Sequence, residues 1–152
     1  MADADGSTLG KLYWIITGVL VLWGLMGLWV LYDFISATPE SMAKSVANGT
    51  YTQAYADYYL NGSKTWQTAV FAFAVISGAL GALCLVLRRA WAVPLYVLSL
   101  LMIIASLFGM FVIDKAHAMM SGGQIAMEGV VLALGLFSVW FARKKKAKGW
   151  LK

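Results

Sequence analysis

The sequence predicts an all-α membrane protein whose single domain, residues 1–152, is a bundle of four transmembrane helices. Hydrophobic residues make up 61% of the chain and charged residues only 12%. Soluble domains contain roughly 45–50% apolar residues and about 25% charged residues. The apolar residues are concentrated in four blocks. The basic residues fall between and beyond these blocks in a pattern that requires an even number of spans.

Each apolar block is long enough to cross a bilayer, because about 20 helical residues span a hydrocarbon core of ~30 Å. The predicted spans are residues 12–32, 68–87, 92–113 and 125–142. The first three carry no charge, and the fourth carries only Glu128. Pro94 lies in the first turn of the third span, where the missing N–H costs least.

The positions of lysine and arginine predict that both termini lie in the cytoplasm. Nine basic residues flank the spans on one side and three on the other, and cytoplasmic flanks carry the excess of positive charge. We therefore attribute the net charge of +5 to contact with the lipid bilayer rather than to binding of nucleic acid. Six of the nine lie in a predicted basic tail, residues 143–152. The residues expected to contact lipid on the cytoplasmic side are Arg88, Arg89, Arg143, Lys144, Lys145 and Lys146.

The first outer loop, residues 33–67, is long enough to contain structure of its own. Thr38, Pro39 and Glu40 predict a helix start, with an N-cap, a proline at the first position and an acid at the positive helix end. Asn48-Gly49 predicts the end of that helix, and Asn61-Gly62-Ser63 predicts a second turn.

Between these turns, Tyr51, Tyr55 and Tyr58 fall on one face of a second short helix. We expect both short helices to be interfacial, lying on the outer membrane surface with apolar faces against the bilayer. A second interpretation stays open, in which the tyrosine rings form a platform for a sugar or a quinone-like ligand.

Small residues recur at helical spacing in three spans and predict helix packing. Helices in lipid associate through small residues, because these let the backbones approach closely. We expect these faces to pack within the bundle or between copies of the chain. The residues are Ala74, Gly78 and Ala82 in the second span, Ala105 and Gly109 in the third, and Gly129 and Ala133 in the fourth.

Glu128 is the first candidate for ligand or proton binding, because an ionisable residue within a span is costly. It lies about 5 Å along the predicted helix from its start and shares a face with Gly135 rather than with Gly129 and Ala133. Two interpretations remain open. Glu128 takes part in transport or proton binding, or it reaches the headgroups and the positive helix start.

Other polar residues gather on the same side of the membrane as Glu128. Asp33 ends the first span, and Asp114 and His117 follow the third, three residues apart, where they could meet on one helical turn. Such groups could bind a metal or gate a proton, although polar residues are also usual at helix ends. Trp23 lies mid-span, where its indole N–H needs a partner or a packed interior.

Enzymatic activity is not expected, and neither is a cofactor or a bound metal. The chain contains no phosphate-binding glycine loop and no zinc-protease motif, and His117 is its only histidine. The single cysteine, Cys84, excludes an internal disulfide and a multi-cysteine metal site.

Three stretches resemble a known family. They are Leu22-Trp23-Gly24-Leu25-Met26-Gly27, residues 87–95 with 99–101, and residues 140–143 with 149–151. The most specific part is Arg-Arg-x-Trp-Ala-Val-Pro at residues 88–94. These stretches are similar to a family of small four-helix bacterial inner-membrane proteins, often labelled sugar transporters without an established activity. The resemblance implies a multi-pass protein of the cell inner membrane.

Two functions are compatible with these features. The first, which the scarcity of charged residues within the spans favours, is a non-catalytic protein that packs through its small-residue faces, as a homo-oligomer or an accessory subunit of a larger membrane complex. The second is a small transporter of a sugar or another small-molecule solute that works as an oligomer.

Overall fold

The computed structural model describes residues 2–61 and 65–152, whose regular elements are helical. The α-helices are α1 (Ala2–Ile35), α2 (Pro39–Ala47), α3 (Gln53–Asn61), α4 (Thr65–Val86), α5 (Ala92–Phe108) and α6 (Gly122–Ala147). A π-helical turn, Gly109–Ile113, continues α5, and a 3₁₀ turn covers Ala116–Ala118.

In the described part of the chain, four helices are long and apolar enough to cross a membrane, which confirms that part of the predicted fold class. The candidate spans are Gly10–Ile35, Trp66–Val86, Ala92–Ile113 and Gly122–Ala147. The first five residues of the predicted basic tail, 143–147, belong to α6, which continues through them. Lysine and alanine favour helix, and cations stabilise the negative helix end.

The first predicted loop helix is present as α2. The Thr38 hydroxyl accepts a hydrogen bond from the Ser41 N–H at 3.2 Å, and the Thr38 N–H donates to the Ser41 hydroxyl at 2.9 Å. Asn48 caps the C-terminus, and Gly49 follows with φ at +75°, a conformation that favours glycine. The second predicted turn includes Gly62 and Ser63, which lie outside the described residues.

The long helices pack in chain order, α1 on α4, α4 on α5 and α5 on α6. Small residues allow this close approach. A Cβ atom on Gly24 would lie 3.2 Å from the Ala79 Cα, and one on Gly78 would lie 3.1 Å from the Ser99 hydroxyl. Among the described residues, α1 and α6 share no comparable packed interface, so the bundle has one loosely closed side.

One end of the bundle is closed by a buried layer that we name the tail end, made of Tyr13, Leu85, Phe141, Trp150 and Leu151. Tyr13 is fully buried, and its hydroxyl donates to the Leu85 carbonyl at 2.6 Å. Its ring lies 5.9 Å from that of Phe141 and 5.2 Å from that of Trp150. The start of α1 therefore meets the end of α6.

Residues 149–152 fold back onto the turn between α4 and α5. The Ala90 N–H donates to the Lys152 carbonyl at 2.8 Å, and the Lys152 N–H donates to the Arg88 carbonyl at 2.9 Å. Gly149 makes the reversal possible, with φ at +73°. This backbone pairing holds Trp150 and Leu151 over the tail end.

Candidate functional site

A cavity of about 650 Å³ lies between the four long helices. It extends from α3 at one end towards Tyr96 and Ser138 near the tail end, and Ser138 lies about 15 Å along the helix axis from Glu128. Apolar side chains from α1, α4, α5 and α6 form most of its wall. A cavity of this size is typical of small-molecule sites, which occupy about 300–1,000 Å³.

Glu128 lies in the wall of this cavity. Its helix face is directed into the bundle, because Gly135 on the same face packs against Leu100 and Ile103 of α5. The side chain is half-buried, and it forms no hydrogen bond or ion pair with another described residue. The predicted shared face of Glu128 and Gly135 therefore points towards the interior rather than towards lipid.

Glu128 is also further from the helix start than the sequence suggested. Ser121 caps α6 and forms a capping box with Gln124, so the helix begins at Gly122 rather than at residue 125. Glu128 then lies about 9 Å along the axis from the helix start, beyond the first turn where the helix dipole acts. The interpretation of Glu128 as an acid stabilised by the helix start loses its basis.

The predicted tyrosine face forms the roof of the cavity. Tyr55 is 8% exposed and packs against Ala116 and Met120. The rings of Tyr51 and Tyr58 lie 5.3 and 6.1 Å from that of Tyr55. We name this region, α3 with residues 114–120, the loop end. The expectation that the face lies against the bilayer is wrong for Tyr55, because protein covers its ring.

Two acids lie close enough to these tyrosines to affect their pKa values. Burial raises the pKa of Tyr51, and the negative charges of Asp33 and then Glu128 raise it further. Burial also raises the pKa of Tyr55, with further contributions from Tyr51 and Glu128. The tyrosine hydroxyls near the cavity therefore stay protonated and available as hydrogen-bond donors.

Asp114 joins α3 to the ends of α4 and α5. The Tyr58 hydroxyl donates to the Asp114 Oδ2 at 2.8 Å, and the Gln67 side-chain amide donates to the same oxygen. Burial, followed by this hydrogen bond to Asp114, raises the pKa of Tyr58 to about 12. The Tyr59 hydroxyl adds a hydrogen bond to the Phe34 carbonyl of α1 at 3.1 Å.

Gln67 was not predicted as a site residue, although it is only 8% exposed. It is the last residue of the predicted outer loop, and its position one residue after Trp66 was the available signal. A polar side chain at a span boundary is ordinary in sequence. Only the fold shows that Gln67 turns inwards to Asp114.

Asp33 and His117 do not form a metal centre with Asp114. The helix ends at Ile113, and Lys115 adopts φ of +53°, so Asp114 and His117 share no helical turn. The exposed His117 ring instead lies parallel to that of Phe111 at 6.2 Å. Among the described residues, no three His, Cys, Asp or Glu side chains are grouped so that they could hold a metal ion.

The deep part of the cavity contains Trp23 and Tyr96. Tyr96 is 5% exposed, and its hydroxyl has no hydrogen-bond partner among the described residues. Its ring packs on Gly81, where a Cβ atom would lie 3.2 Å from the ring carbons. Tyr96 was not predicted as a site residue. An unpaired buried hydroxyl costs about 1–3 kcal/mol, so it is a candidate contact for a ligand.

The cavity opens sideways between α1 and α6. Met26 and Val30 of α1 and Met127 of α6 line the cavity and are nevertheless exposed by 45%, 45% and 53%. Residues that combine both properties lie at an entrance. Gly49, Thr50 and Gly123 also line the cavity and are exposed, so there is a second opening beside the loop end. The opening between α1 and α6 lies along the apolar spans.

The predicted packing residues divide into two groups. Ala74 and Ala82 are buried in the bundle and Ala105 is half-buried. Gly78 approaches Ser99, and the Trp66 ring covers Gly109 so closely that a Cβ there would lie 2.6 Å from a ring carbon. The α6 residues differ, since Gly129 and Ala133 are exposed and nothing lies within 4 Å of a Cβ built on Gly129.

The basic residues expected to contact lipid differ in their exposure. Arg89, Arg143 and Lys146 are exposed, as are Arg88 and Lys144. Lys145 is 9% exposed and packs among aromatic rings at the tail end. Lipid contact stays a prediction for all six residues.

Comparison with profiles of known protein families, with curated proteins and with solved structures finds no match. The proposals below accordingly rest on the cavity and the residues around it.

Proposed function

We propose that this chain is a non-catalytic membrane protein that binds a small, mostly apolar molecule with one cationic group in its central cavity and carries it within the inner membrane. The observation that carries this proposal is the position of Glu128 in the wall of a cavity of about 650 Å³, with no hydrogen bond or ion pair to another described residue. A cationic group would supply the partner that the carboxylate lacks, and charges within a span are usually paired.

The wall of the cavity supports an apolar body for the ligand. Met26, Val75, Ile103 and Val131 represent the four helices around it. The Ser99 and Ser138 hydroxyls already donate to backbone carbonyls, at 2.7 Å each. A sugar needs many hydrogen-bonding groups around its ring, so we favour an apolar solute over the sugar that the family resemblance implies.

The sideways opening supports entry from the bilayer rather than from water. A molecule that dissolves in lipid reaches the rim formed by Met26, Val30 and Met127 directly from the hydrocarbon core. In the proposed orientation both termini lie in the cytoplasm, since nine of the twelve basic residues flank the spans on that side. The loop end then faces the outer side of the membrane.

Two probe ions of the same shape and opposite charge test the proposal. Purified protein in neutral detergent is dialysed against tetraphenylphosphonium and, separately, against tetraphenylborate. We expect the cation to bind with a Kd at least about tenfold lower than that of the anion, because each factor of ten corresponds to 1.4 kcal/mol. Glu128→Gln should abolish this preference, since the amide carries no charge.

Glu40→Gln is the matched control. Glu40 is an exposed acid of α2 that pairs with Lys44 at 3.5 Å, outside the cavity, so its loss should leave the preference for the cation unchanged. Equal binding of the two probes by the wild-type protein would contradict the proposal, and so would an unchanged preference in Glu128→Gln.

A second candidate function is that of an oligomer or an accessory subunit, and the exposed α6 face favours it. Gly129 and Ala133 are not used in the bundle, and small residues let a second helix approach closely. We expect Gly129→Leu to dissociate a complex seen by native mass spectrometry in mild detergent. Gly18→Leu, at a glycine of α1 that is equally free of neighbours, is the control and should leave the complex intact.

A further inference from the structure

The tail end holds two cations around the same aromatic rings. The Lys145 Nζ lies 4.4 Å from the centre of the Trp150 ring and 5.6 Å from that of Tyr13. The Arg88 Cζ lies 6.0 and 5.9 Å from the same two ring centres. Each contact is a favourable cation–π interaction of about 0.5–2 kcal/mol, but the two positive charges repel each other.

Neither cation has an acidic partner in the part of the chain that the structure describes. The ion pair found there joins Lys44 to Glu40, far from this end. Neither Lys145 nor Arg88 donates a side-chain hydrogen bond to a described residue, although Lys145 is 91% buried, being 9% exposed. The Lys145 ammonium is covered by aromatic rings and loses much of its hydration. The exposed Arg88 at the same rings adds a second positive charge, so this site favours an anion.

We propose that Lys145 and Arg88 together bind the phosphate of one anionic lipid headgroup. A phosphate would accept the paired N–H groups of Arg88 and the ammonium of Lys145 through different oxygens. One anion between the two cations replaces their repulsion by two attractions. The remaining exposed lysines would add only general attraction to a negative membrane surface.

The aromatic residues around this site support a lipid headgroup as the source of the phosphate. Trp14 and Trp140 are exposed at this end by 46% and 53%, and tryptophan favours the headgroup level of a bilayer. Lys144 covers the Trp140 ring at 4.6 Å. Phosphate groups of lipids are concentrated at this level, whereas free phosphate is dilute there.

The experiment measures lipid binding by native mass spectrometry of the purified chain with phosphatidylglycerol or phosphatidylcholine. We expect one tightly bound phosphatidylglycerol and no comparable phosphatidylcholine. Lys145→Met and Arg88→Gln should each raise the Kd for phosphatidylglycerol at least about tenfold, because hydrogen bonds to charged groups contribute about 1.5–3 kcal/mol. The double variant should lose little more, since either change breaks the site.

Neighbouring cations provide matched controls. Lys146→Met and Arg89→Gln remove the same charges from exposed residues, and they should weaken binding about fivefold at most, as expected for about 1 kcal/mol per basic residue near the surface. Lys145→Arg keeps the charge and should retain the lipid. It also keeps the proposal testable if Lys145→Met does not fold.

Two results would overturn the proposal. Equal losses in all four single charge-removing variants would mean that the lipid is attracted by overall charge alone. Inorganic phosphate that stabilises the protein and displaces phosphatidylglycerol at the same concentration would mean that the anion comes from solution rather than from a lipid.

Discussion

The tail end and the loop end lie at opposite ends of the bundle and are built with different chemistry. At the tail end, Tyr13 and Leu85 are fully buried, Trp150 packs against Tyr13, and backbone hydrogen bonds hold residues 150–152 in place. At the loop end, the nine-residue helix α3 is held by hydroxyl groups, with Tyr58 donating to Asp114 and Tyr59 to Phe34, and by the packing of Tyr55 against Ala116 and Met120.

We expect the tail end to determine the stability of the fold and the loop end to determine access to the cavity. Burial of large rings stabilises a fold over many contacts and is lost only when the structure unfolds. A few partly exposed hydrogen bonds contribute about 0.5–1.5 kcal/mol each, or about 1.5–3 kcal/mol when one partner is charged. Because the buried cluster at the loop end is the smaller of the two, we expect the loop end to require less free energy to open than the tail end.

The largest effect is expected at Tyr13. Tyr13→Ala should lower the free energy of unfolding by about 3–5 kcal/mol, as for other large buried rings. Tyr55→Ala, the matched change at the loop end, should lower it less and should instead increase hydrogen exchange within α3. Denaturant unfolding in detergent and hydrogen exchange measure the two quantities. If Tyr55→Ala lowered the free energy of unfolding as much as Tyr13→Ala does, the proposed difference between the loop end and the tail end would be wrong.

A smaller effect is expected at alkaline pH. The pKa of Tyr58 rises from 10.0 to about 12, so the folded state holds this proton more tightly than the unfolded state does. Its contribution to stability is complete below pH 10 and is lost as the pH rises from 10 to about 12. Tyrosinate absorbance should show this group ionising late in the folded protein and near pH 10 in denaturant.

Tyr58→Phe is the control for the alkaline titration, because it removes the late-ionising hydroxyl and leaves the ring. One tyrosine fewer should then ionise near pH 12. An unchanged titration would mean that Tyr58 is not held by Asp114 and that the loop end opens more readily than its hydrogen bonds suggest.

The smallest effect concerns two strained residues, one at each end. Lys115 at the loop end and Arg88 at the tail end both have φ of +53°, which costs roughly 1–2 kcal/mol for a residue other than glycine. Lys115→Gly should raise the unfolding free energy by about 1 kcal/mol, because the Lys115 side chain is exposed. Arg88→Gly should gain less or lose stability, since Arg88 covers the rings of Tyr13 and Trp14. Equal gains would show that the Arg88 contacts contribute nothing.

The spans could be predicted because each is recognised from one continuous segment of the sequence. Length and apolar content decide whether a helix can cross a bilayer, and neither depends on tertiary contacts. The ends of the helices were less accurate. Four of the residues 143–147 are basic, and their low hydropathy did not show that α6 continues through them, although lysine and alanine favour helix outside the apolar region as well.

The candidate site could be predicted only in part. Glu128 was identified because a charge stands out in an apolar span, and its face followed from helical spacing. Gln67 and Tyr96 were missed, since uncharged polar residues are common in such segments. The sequence also could not show that Gly129 and Ala133 point away from the bundle. When every face of a helix is apolar, the pattern does not tell which face meets protein and which meets lipid.

The backbone pairing of Lys152 with Arg88 and Ala90 has a consequence for the order of folding during synthesis. The hydrogen bonds at the loop end join residues between Phe34 and Met119, so this end can begin to assemble once Met119 has left the ribosome. Tyr13 must wait for Trp150, over a much longer stretch of chain, and such distant contacts form slowly. At about 5–20 residues per second, synthesis from Met120 to Trp150 takes a few seconds. During that time the loop end can form but the tail end cannot.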